Sequence, residues 1–161
     1  MCSFGSGNDV LEPVTPEDLP AIRALIAAVI RHSVARSEED ARFLIEDIDA
    51  SLLWWRAHPD DAIHLKHCHA EAIVGVVLVK HFWNLCDLFV APDCQRRGIG
   101  TLLVTEALKL CRHKSPRAAL LVNSSTVAVG FYERLGFRQT GPGLDRPGGC
   151  VPFRYDFNST K

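Results

Sequence analysis

The chain has 161 residues, of which 47% are hydrophobic and 23% are charged, and its formal net charge at pH 7 is -1. This size and composition predict a single globular domain with a substantial core. The near-neutral charge argues against a nucleic-acid partner, because nucleic-acid-binding proteins need an excess of Lys and Arg to neutralise phosphates. No apolar run approaches the roughly 20 residues that cross a bilayer, and the polar first eight residues favour neither a secretory signal nor a myristoylation site. We therefore expect no membrane partner and a cytoplasmic location.

The cysteines predict reduced thiols rather than a disulfide framework. No two of them form a C-x-x-C pair, and four have apolar or strand-like neighbours. Cys94 follows a predicted strand and is expected in a surface loop, without a histidine partner that would make it a nucleophile. The six cysteines are Cys2, Cys68, Cys86, Cys94, Cys111 and Cys150.

The first predicted elements are a short strand over Val10–Val14 and a helix that begins after Thr15. Thr as the N-cap and Pro16 at the first helical position mark a helix start. Apolar residues spaced three and four apart continue to Ile30, which predicts one buried helix face. A second helix is predicted to begin at residues 37–40.

Three strands with short connections follow and predict an antiparallel meander. They cover Ala62–Cys68, Ile73–Val79 and His81–Val90. The middle strand is almost continuously apolar, which is typical of a strand that is covered on both faces. Beyond the meander, the pattern predicts a helix over 99–111, a strand over 118–122, a helix ending near 135, a strand from 137, a Pro/Gly-rich loop over 141–149 and a last strand over 151–157.

The segment from Val90 to Gly100 has the pattern of an anion site. A predicted strand ends, a short loop follows, and a helix begins at two glycines. Helix N-termini offer free N–H groups and the positive end of the helix dipole, and glycine lets a ligand approach the backbone. Neither the P-loop pattern nor the dinucleotide fingerprint fits, because no Lys follows Gly100 and Leu103 stands where a third glycine is required. A glycine-assisted turn with two solvated arginines is the alternative.

Two motifs together resemble the GCN5-related N-acetyltransferase superfamily. The first is Gln95-Arg96-Arg97-Gly98-Ile99-Gly100 after a strand that ends Leu-Phe-Val-Ala-Pro, which resembles the acetyl-CoA-binding motif of that family. The second is Asn123-Ser124-Ser125 followed by Phe131-Tyr132-Glu133-Arg134-Leu135-Gly136-Phe137. The resemblance implies one N-acetyltransferase domain over residues 1–161. It also implies an α/β fold with a mixed, twisted sheet of six or seven strands flanked by about four helices, splayed after Val90 so that the cofactor enters the gap.

The resemblance also implies which residues hold acetyl-CoA, the acetyl donor. The backbone at Phe89 and Val90 would align the acetyl group and the pantetheine arm, while the region from Asn123 to Tyr132, with Asn123 and Ser125, would flank the rest of the arm. Ser125 stands where many relatives have Asn, so its contact with the cofactor is open. The pyrophosphate would lie on the backbone of Gln95, Arg96, Arg97, Gly98, Ile99, Gly100 and Thr101.

Tyr132 and Asp87 are the candidate catalytic residues that the resemblance implies. Tyr132 matches the position whose hydroxyl often protonates the departing thiolate, and the alternative is an aromatic ring that only packs in the core. Asp87 is the only carboxylate on the strand before the loop, and it could act as general base or as a structural acid. Many relatives have an acid where Cys86 stands, so a chain of water molecules in place of a dedicated base is also open.

The acceptor is not identified by the sequence. We expect a primary amine, with a small-molecule amine favoured over a protein N-terminus or lysine, and a non-catalytic acyl-CoA-binding module is a further alternative. The sequence leaves open whether the domain is a monomer or a homodimer. Histidines at 58, 64, 67, 69 and 81 lack carboxylate or cysteine partners at ligand spacing, so no metal site is predicted.

Overall fold

The computed structural model describes residues 8–158, which form one mixed sheet with helices on both faces. The strand order is β1-β2-β3-β4-β5-β7-β6. The strands are β1 (Asp9–Pro13), β2 (Ala62–His69), β3 (Ala72–Lys80), β4 (Asn84–Val90), β5 (Ala119–Ser124), β6 (Arg138–Gln139) and β7 (Val151–Asp156). The α-helices are α1 (Leu19–Val29), α2 (Glu38–Ala57), α3 (Ile99–Cys111) and α4 (Val129–Arg134). The predicted α/β fold, with six or seven strands and about four helices, is confirmed.

Local sequence signals explain where the first two helices begin. Thr15 and Asp18 form a capping box at the 3₁₀ turn Pro16–Asp18, which leads directly into α1, and the Thr15 N–H donates to the Asp18 carboxylate at 2.8 Å. Ser37 caps α2, because its hydroxyl accepts a hydrogen bond from the Asp40 N–H at 3.1 Å. Between the two helices, the chain forms a π-helical turn over Ile30–Val34.

The sheet separates two apolar clusters. Residues of α1 and α2 pack on one face, where Val76 and Leu78 of β3 are fully buried. Residues of α3 and α4 pack on the other face, against Val77 and Val79. This alternation along β3 is the expected side-chain period of a strand, and it confirms that the predicted middle strand is covered on both sides. No helix within residues 8–158 is both long and apolar enough to cross a membrane.

The strand predicted over 81–90 is shorter in the structure and begins at Asn84. His81 and Phe82 have φ values of 54° and 61°, so the chain turns there in the left-handed region. Such a conformation cannot continue a strand. Residues 81–83 are mostly aromatic, like parts of the strand that follows them. The sequence pattern alone therefore did not show where the turn ends and the strand begins.

The expectations for the cysteines are wrong at Cys94. Cys94 is disulfide-bonded and is 1% exposed, so it is neither a reduced thiol nor a surface residue. It lies in the single helical turn Pro92–Cys94, which packs into the core beside α3. Four other cysteines of the described residues are free thiols, as expected: Cys68, Cys86, Cys111 and Cys150. Cys2 lies outside the described residues.

Candidate active site

The sheet opens between β4 and β5. These two parallel strands pair only at Asn84↔Leu121 and Leu85↔Val122, whereas β4 stays paired with β3 as far as Val90. The splay was expected after Val90, and the structure corrects this position, because the pairing with β5 already ends at Leu85. Residues 86–90 therefore present one strand edge, with its backbone N–H and C=O groups, to the gap. Such an edge can pair with an extended amide-containing ligand.

A bulge in β4 lies at the start of the gap. Asp87 is paired with Leu78, and Leu85 is paired with Val79, so Cys86 is the extra residue between them. A bulge changes the direction of the following side chains. As a result, Asp87 shares the α1/α2 face of the sheet with Leu78 and Phe89, while Leu88 and Val90 pack with the α3/α4 cluster.

The predicted pyrophosphate segment joins this strand to α3. Gln95 folds back on the strand, because its Nε2 donates to the Val90 carbonyl at 3.1 Å. Arg96 and Gly98 have φ values of 62° and 83°, and Gly98 is the N-cap of α3. The first helical hydrogen bond to Gly98 comes from the Leu102 N–H at 2.9 Å, so the N–H groups of residues 98–101 lack intrahelical acceptors.

The two glycines of this segment have different surroundings. A Cβ atom on Gly98 would meet nothing within 4 Å, so this backbone is open to a ligand. A Cβ atom on Gly100 would lie 3.3 Å from Cε2 of Phe131, so Gly100 allows α3 to approach α4. Gly98 is exposed, as are Gln95, Arg96, Arg97 and Thr101. Ile99 is buried in the core. The predicted segment therefore combines an open anion-binding backbone with a buried anchor.

Asp87 is the buried carboxyl of the site. It is 2% exposed, and its Oδ2 has no hydrogen-bond partner within the described part of the chain. Burial raises the pKa of Asp87 to about 7, while nearby Lys80 lowers it and Asp47 raises it. Such a group can gain and lose a proton near neutral pH.

Tyr132 is the buried phenol of the site. Burial raises the pKa of the Tyr132 hydroxyl, and the Asp87 carboxylate raises it further. The ring is 4% exposed and contacts Phe131 and Phe137 at centroid distances of 5.1 and 5.3 Å. The phenol therefore stays protonated at neutral pH, and its packing fixes its position.

Cys86 does not supply the acid that many relatives have at this position. Its side chain is half-buried, and its Sγ lies 3.4 Å from the carbonyl oxygen of Asn84. Burial raises the pKa of the Cys86 thiol to about 12, and Asp87 adds to this shift. The thiol is therefore protonated at neutral pH and is neither a base nor a nucleophile.

The remaining predicted positions lie on the β5 side of the gap. Asn123 is exposed and paired through its backbone with Pro152 of β7. Ser125 precedes the helical turn Thr126–Ala128 that leads into α4. The side chains of Asn123 and Ser125 form no hydrogen bonds with other groups in residues 8–158.

The sequence did not identify Asp47. This exposed residue on α2 acts on both Cys86 and Asp87 through its charge. Its spacing of seven from Asp40 places both carboxylates on one helix face, but only the packing of α2 against the sheet shows that this face borders the site.

The histidines do not assemble a metal centre in the described part of the chain. His64 is 5% exposed, His81 lies on the surface, and the Nδ1 of His69 is 2.6 Å from the Asp9 carboxylate. Within residues 8–158 no group of three or more His, Cys, Asp or Glu side chains could hold a metal ion.

A family model described as "Acetyltransferase (GNAT) domain" matches residues 26–151. The chain belongs to the GNAT acetyltransferase family. This membership confirms the resemblance on which the sequence interpretation depends. The family model includes the open strand edge, the glycine segment and Tyr132, so all predicted site residues lie within it.

Comparisons with known proteins agree with the family and the fold. Two proteins named peptidyl-lysine N-acetyltransferase YjaB are similar to this GNAT domain. The one from Salmonella typhimurium is 46% identical over 55 residues, which are 34% of this chain and 35% of that protein. The one from Escherichia coli is 31% identical over 98 residues, which are 60% of each chain. These matches thus span about a third and 60% of the lengths of the two relatives.

Two solved structures have the same fold. A GCN5-related N-acetyltransferase from Rhodopseudomonas palustris superposes with a TM-score of 0.78 at 21% identity, over 96% of this chain and 99% of that one. The PaiA N-acetyltransferase from Thermoplasma acidophilum, solved in complex with coenzyme A, gives a TM-score of 0.76 at 18% identity, over 92% and 99%.

Proposed function

We propose that this GNAT domain transfers the acetyl group of acetyl-CoA to a primary amine by direct attack of the amine. The observation that carries the proposal is the open edge of β4 after Leu85, which leads without interruption to the N-terminus of α3. This arrangement offers one continuous surface of backbone donors and acceptors for a long ligand that has amides at one end and phosphates at the other.

The residues of this surface fit acetyl-CoA. The free N–H groups at the start of α3 and the open space beside Gly98 suit a pyrophosphate. The backbone at Phe89 and Val90 would pair with the amides of the pantetheine arm, in the manner of an added strand. When bound, acetyl-CoA supplies an activated thioester carbon.

Asp87 and Tyr132 would move the protons. Asp87 would accept the proton of the attacking amine as the N–C bond forms, and Tyr132 would donate its hydroxyl proton to the sulfur as the C–S bond breaks. Asp87 would then release its proton to water, and Tyr132 would take a proton from water, so both groups return to their starting states. This sequence of transfers balances and requires no covalent enzyme intermediate.

The amine that accepts the acetyl group could belong to a small molecule or to a protein. A small amine is favoured by the small polar cavity described below, whereas the names of the two peptidyl-lysine N-acetyltransferase relatives favour a lysine within a protein. The two acceptors differ in whether the amine is presented by a free molecule or by a polypeptide.

A thiol-release assay tests the proposed activity. The full chain and acetyl-CoA are incubated with free primary amines and with lysine-containing peptides, and CoA release and acetylated product are both measured. We expect amine-dependent CoA release with equimolar N-acetyl product. Tight acetyl-CoA binding without turnover on every amine and peptide would instead indicate a non-catalytic acyl-CoA-binding module.

A further inference from the structure

A polar cavity of about 310 Å³ lies between the start of α2 and the Pro/Gly-rich loop that precedes β7. We call this the charged cavity. Its charged lining residues are Arg36 and Asp40 on the α2 side and Asp145 and Arg146 on the loop side, and Thr126 lies on its wall. Its volume is within the range of small-ligand sites in proteins. The four charged residues lie outside the proposed acetyl-CoA surface, and Thr126 directly follows Ser125 of that surface.

The loop that forms one wall of the charged cavity is held in place by two glycines. Gly148 and Gly149 have φ values of 77° and 80°, which L side chains rarely adopt. A Cβ atom on Gly148 would lie 2.9 Å from Val34, and one on Gly149 would collide with the Thr126 hydroxyl. The Thr126 N–H also donates to the Gly148 carbonyl at 3.0 Å. The cavity is therefore preformed by tight contact of the loop with its neighbours.

The four charged side chains are available to a ligand. No ion pair or side-chain hydrogen bond within residues 8–158 involves Arg36, Asp145 or Arg146, and the carboxylate of Asp40 also has none there. Arginines nearby do pair, as in the contact of Arg31 with Glu38 at 3.0 Å. Two guanidinium groups and two carboxylates around one small cavity suit a ligand that has both a carboxylate and an ammonium group.

One face of α2 connects the charged cavity to the catalytic candidates. Asp40 lines the cavity, and Asp47, seven residues later on the same face, acts on Asp87. Seven residues of an α-helix span about 10 Å. Leu44, between them, packs close to Gly148 of the loop. On the opposite wall, Thr126 begins the segment that leads into α4 and Tyr132.

We propose that the charged cavity binds the α-carboxylate and α-ammonium groups of a free amino acid whose side chain carries a second amine, which is the group that becomes acetylated. Arg36 and Arg146 would bind the carboxylate, and Asp40 and Asp145 the ammonium group. The aminoalkyl side chain would extend along α2 toward Asp87. This inference rests on the proposed acetyltransferase function and adds the class of the acceptor and four specificity residues.

Steady-state kinetics with three acceptors test the assignment in the full chain. The acceptors are L-lysine, cadaverine, which lacks the carboxylate, and Nα-acetyl-lysine amide, which lacks both head charges. We expect kcat/KM for lysine to exceed that for each analogue by about tenfold or more, through a lower KM, because charge-assisted hydrogen bonds are lost with the analogues. Arg36→Met and Arg146→Met should each raise the KM for lysine about tenfold but should not raise that for cadaverine, which has no carboxylate to lose. Arg56→Met, on the exposed last turn of α2, is the matched control.

Calorimetric titration of lysine into the protein saturated with CoA gives a readout that does not depend on turnover. Saturable binding that is weakened in the Arg36→Met and Arg146→Met variants supports the assignment, even if no amine is acetylated and the proposed function fails. Equal kcat/KM for the three acceptors overturns the assignment and leaves the acetyltransferase function standing. A clear preference for a lysine-containing peptide over free lysine also overturns it.

Discussion

Asp87 shows how one residue acquires a chemical property from its place in the fold. Its carboxyl is almost fully buried, and Oδ2 has no hydrogen-bond partner in the described part of the chain. Burial of an unpaired carboxyl is unfavourable for the ionised form, so the pKa rises to about 7. Proteins retain such a costly arrangement mainly at functional sites. The unpaired oxygen therefore supports the proposed role of Asp87 as the base that receives the proton of the amine.

The pH dependence of activity tests this role. A base with a pKa of about 7 must be deprotonated to act, so kcat/KM should fall as the pH drops below about 7, in addition to the fall caused by protonation of the acceptor amine. Asp87→Asn should lower kcat/KM by roughly 10²- to 10⁴-fold and remove the transition near pH 7. Asp60→Asn, at an exposed turn, is the control and should behave like the wild type. Wild-type activity of Asp87→Asn would exclude a base role for Asp87.

Tyr132 allows a second test at the same scale. Tyr132→Phe removes the hydroxyl but keeps the ring that packs on Phe131 and Phe137. Turnover should fall roughly ten- to a thousandfold, whereas the Kd for acetyl-CoA should change little, because only the proton donor is lost. Burial raises the pKa of the Tyr132 hydroxyl, so the wild type should show no alkaline loss of activity from this group near pH 8. Tyr155→Phe on β7 is the matched control, and equal turnover of both variants would remove Tyr132 from the mechanism.

At the scale of secondary-structure elements, the site exists because β4 and β5 stop pairing. The bulge at Cys86 and the early end of the parallel pairing leave an open strand edge directly before the N-terminus of α3. In a continuous sheet this edge would be covered, since strand edges pair readily. The turn at Pro92–Cys94 and the glycine segment then connect the edge to the start of α3 without a long loop.

The two glycines at the start of α3 should respond differently to substitution. Gly100→Val would push against Phe131 of α4 and is expected to cost about 1–3 kcal/mol of stability as well as acetyl-CoA affinity. Gly98→Ala places a methyl group in open space, so only its positive φ costs stability, about 1 kcal/mol. This variant should still weaken acetyl-CoA binding, because the methyl group occupies the proposed position of the pyrophosphate.

Urea unfolding and acetyl-CoA titration of both variants separate these effects. Gly141→Ala is a suitable control, because its added Cβ would make only an ordinary contact with Pro152. If Gly98→Ala binds acetyl-CoA as tightly as the wild type, the pyrophosphate does not lie on this backbone.

The sequence predicted those elements that local patterns determine. Alternation and apolar runs located most of the strands, and the capping residues Thr15 and Ser37 located two helix starts. The two family motifs led to the proposed acetyl-CoA surface and to the candidate catalytic residues Tyr132 and Asp87, whose roles stay predictions. The position of the splay, the burial of Cys94 and the influence of Asp47 on Asp87 were missed, because each depends on contacts between residues that are distant in the sequence. The charged cavity was missed for the same reason.

At the scale of the whole molecule, the sheet is buried between two apolar clusters, and titratable groups on both strands β2 and β4 are enclosed with it. His64 of β2 packs against Trp55 at a centroid distance of 4.5 Å, and neither ring nitrogen has a partner within residues 8–158. Burial lowers the pKa of His64 to about 3. The folded state therefore contains a histidine that resists protonation and a carboxyl that resists ionisation.

These two groups predict opposite effects of pH on the free energy of unfolding. The pKa of His64 in the unfolded chain is near its ordinary value of 6.5, so the unfolded state binds a proton first and stability falls as the pH drops from about 6.5 toward 3. The ordinary pKa of Asp87 is 3.8, so the unfolded state loses its proton first and stability falls as the pH rises from about 4 to 7.

Urea unfolding of His64→Leu and Asp87→Asn between pH 4 and pH 8 tests both signs in one experiment. The stability of His64→Leu relative to the wild type should be about 2 kcal/mol greater at pH 5 than at pH 8. The relative stability of Asp87→Asn should change in the opposite sense, rising by up to about 4 kcal/mol between pH 4 and pH 8. The effect of each substitution on packing is the same at both pH values, so it cancels when the relative stabilities at the two pH values are compared. His113→Leu, at an exposed position, is the control. A pH-independent difference for either variant would mean that its group titrates alike in the folded and unfolded chains, which is incompatible with its burial in this fold.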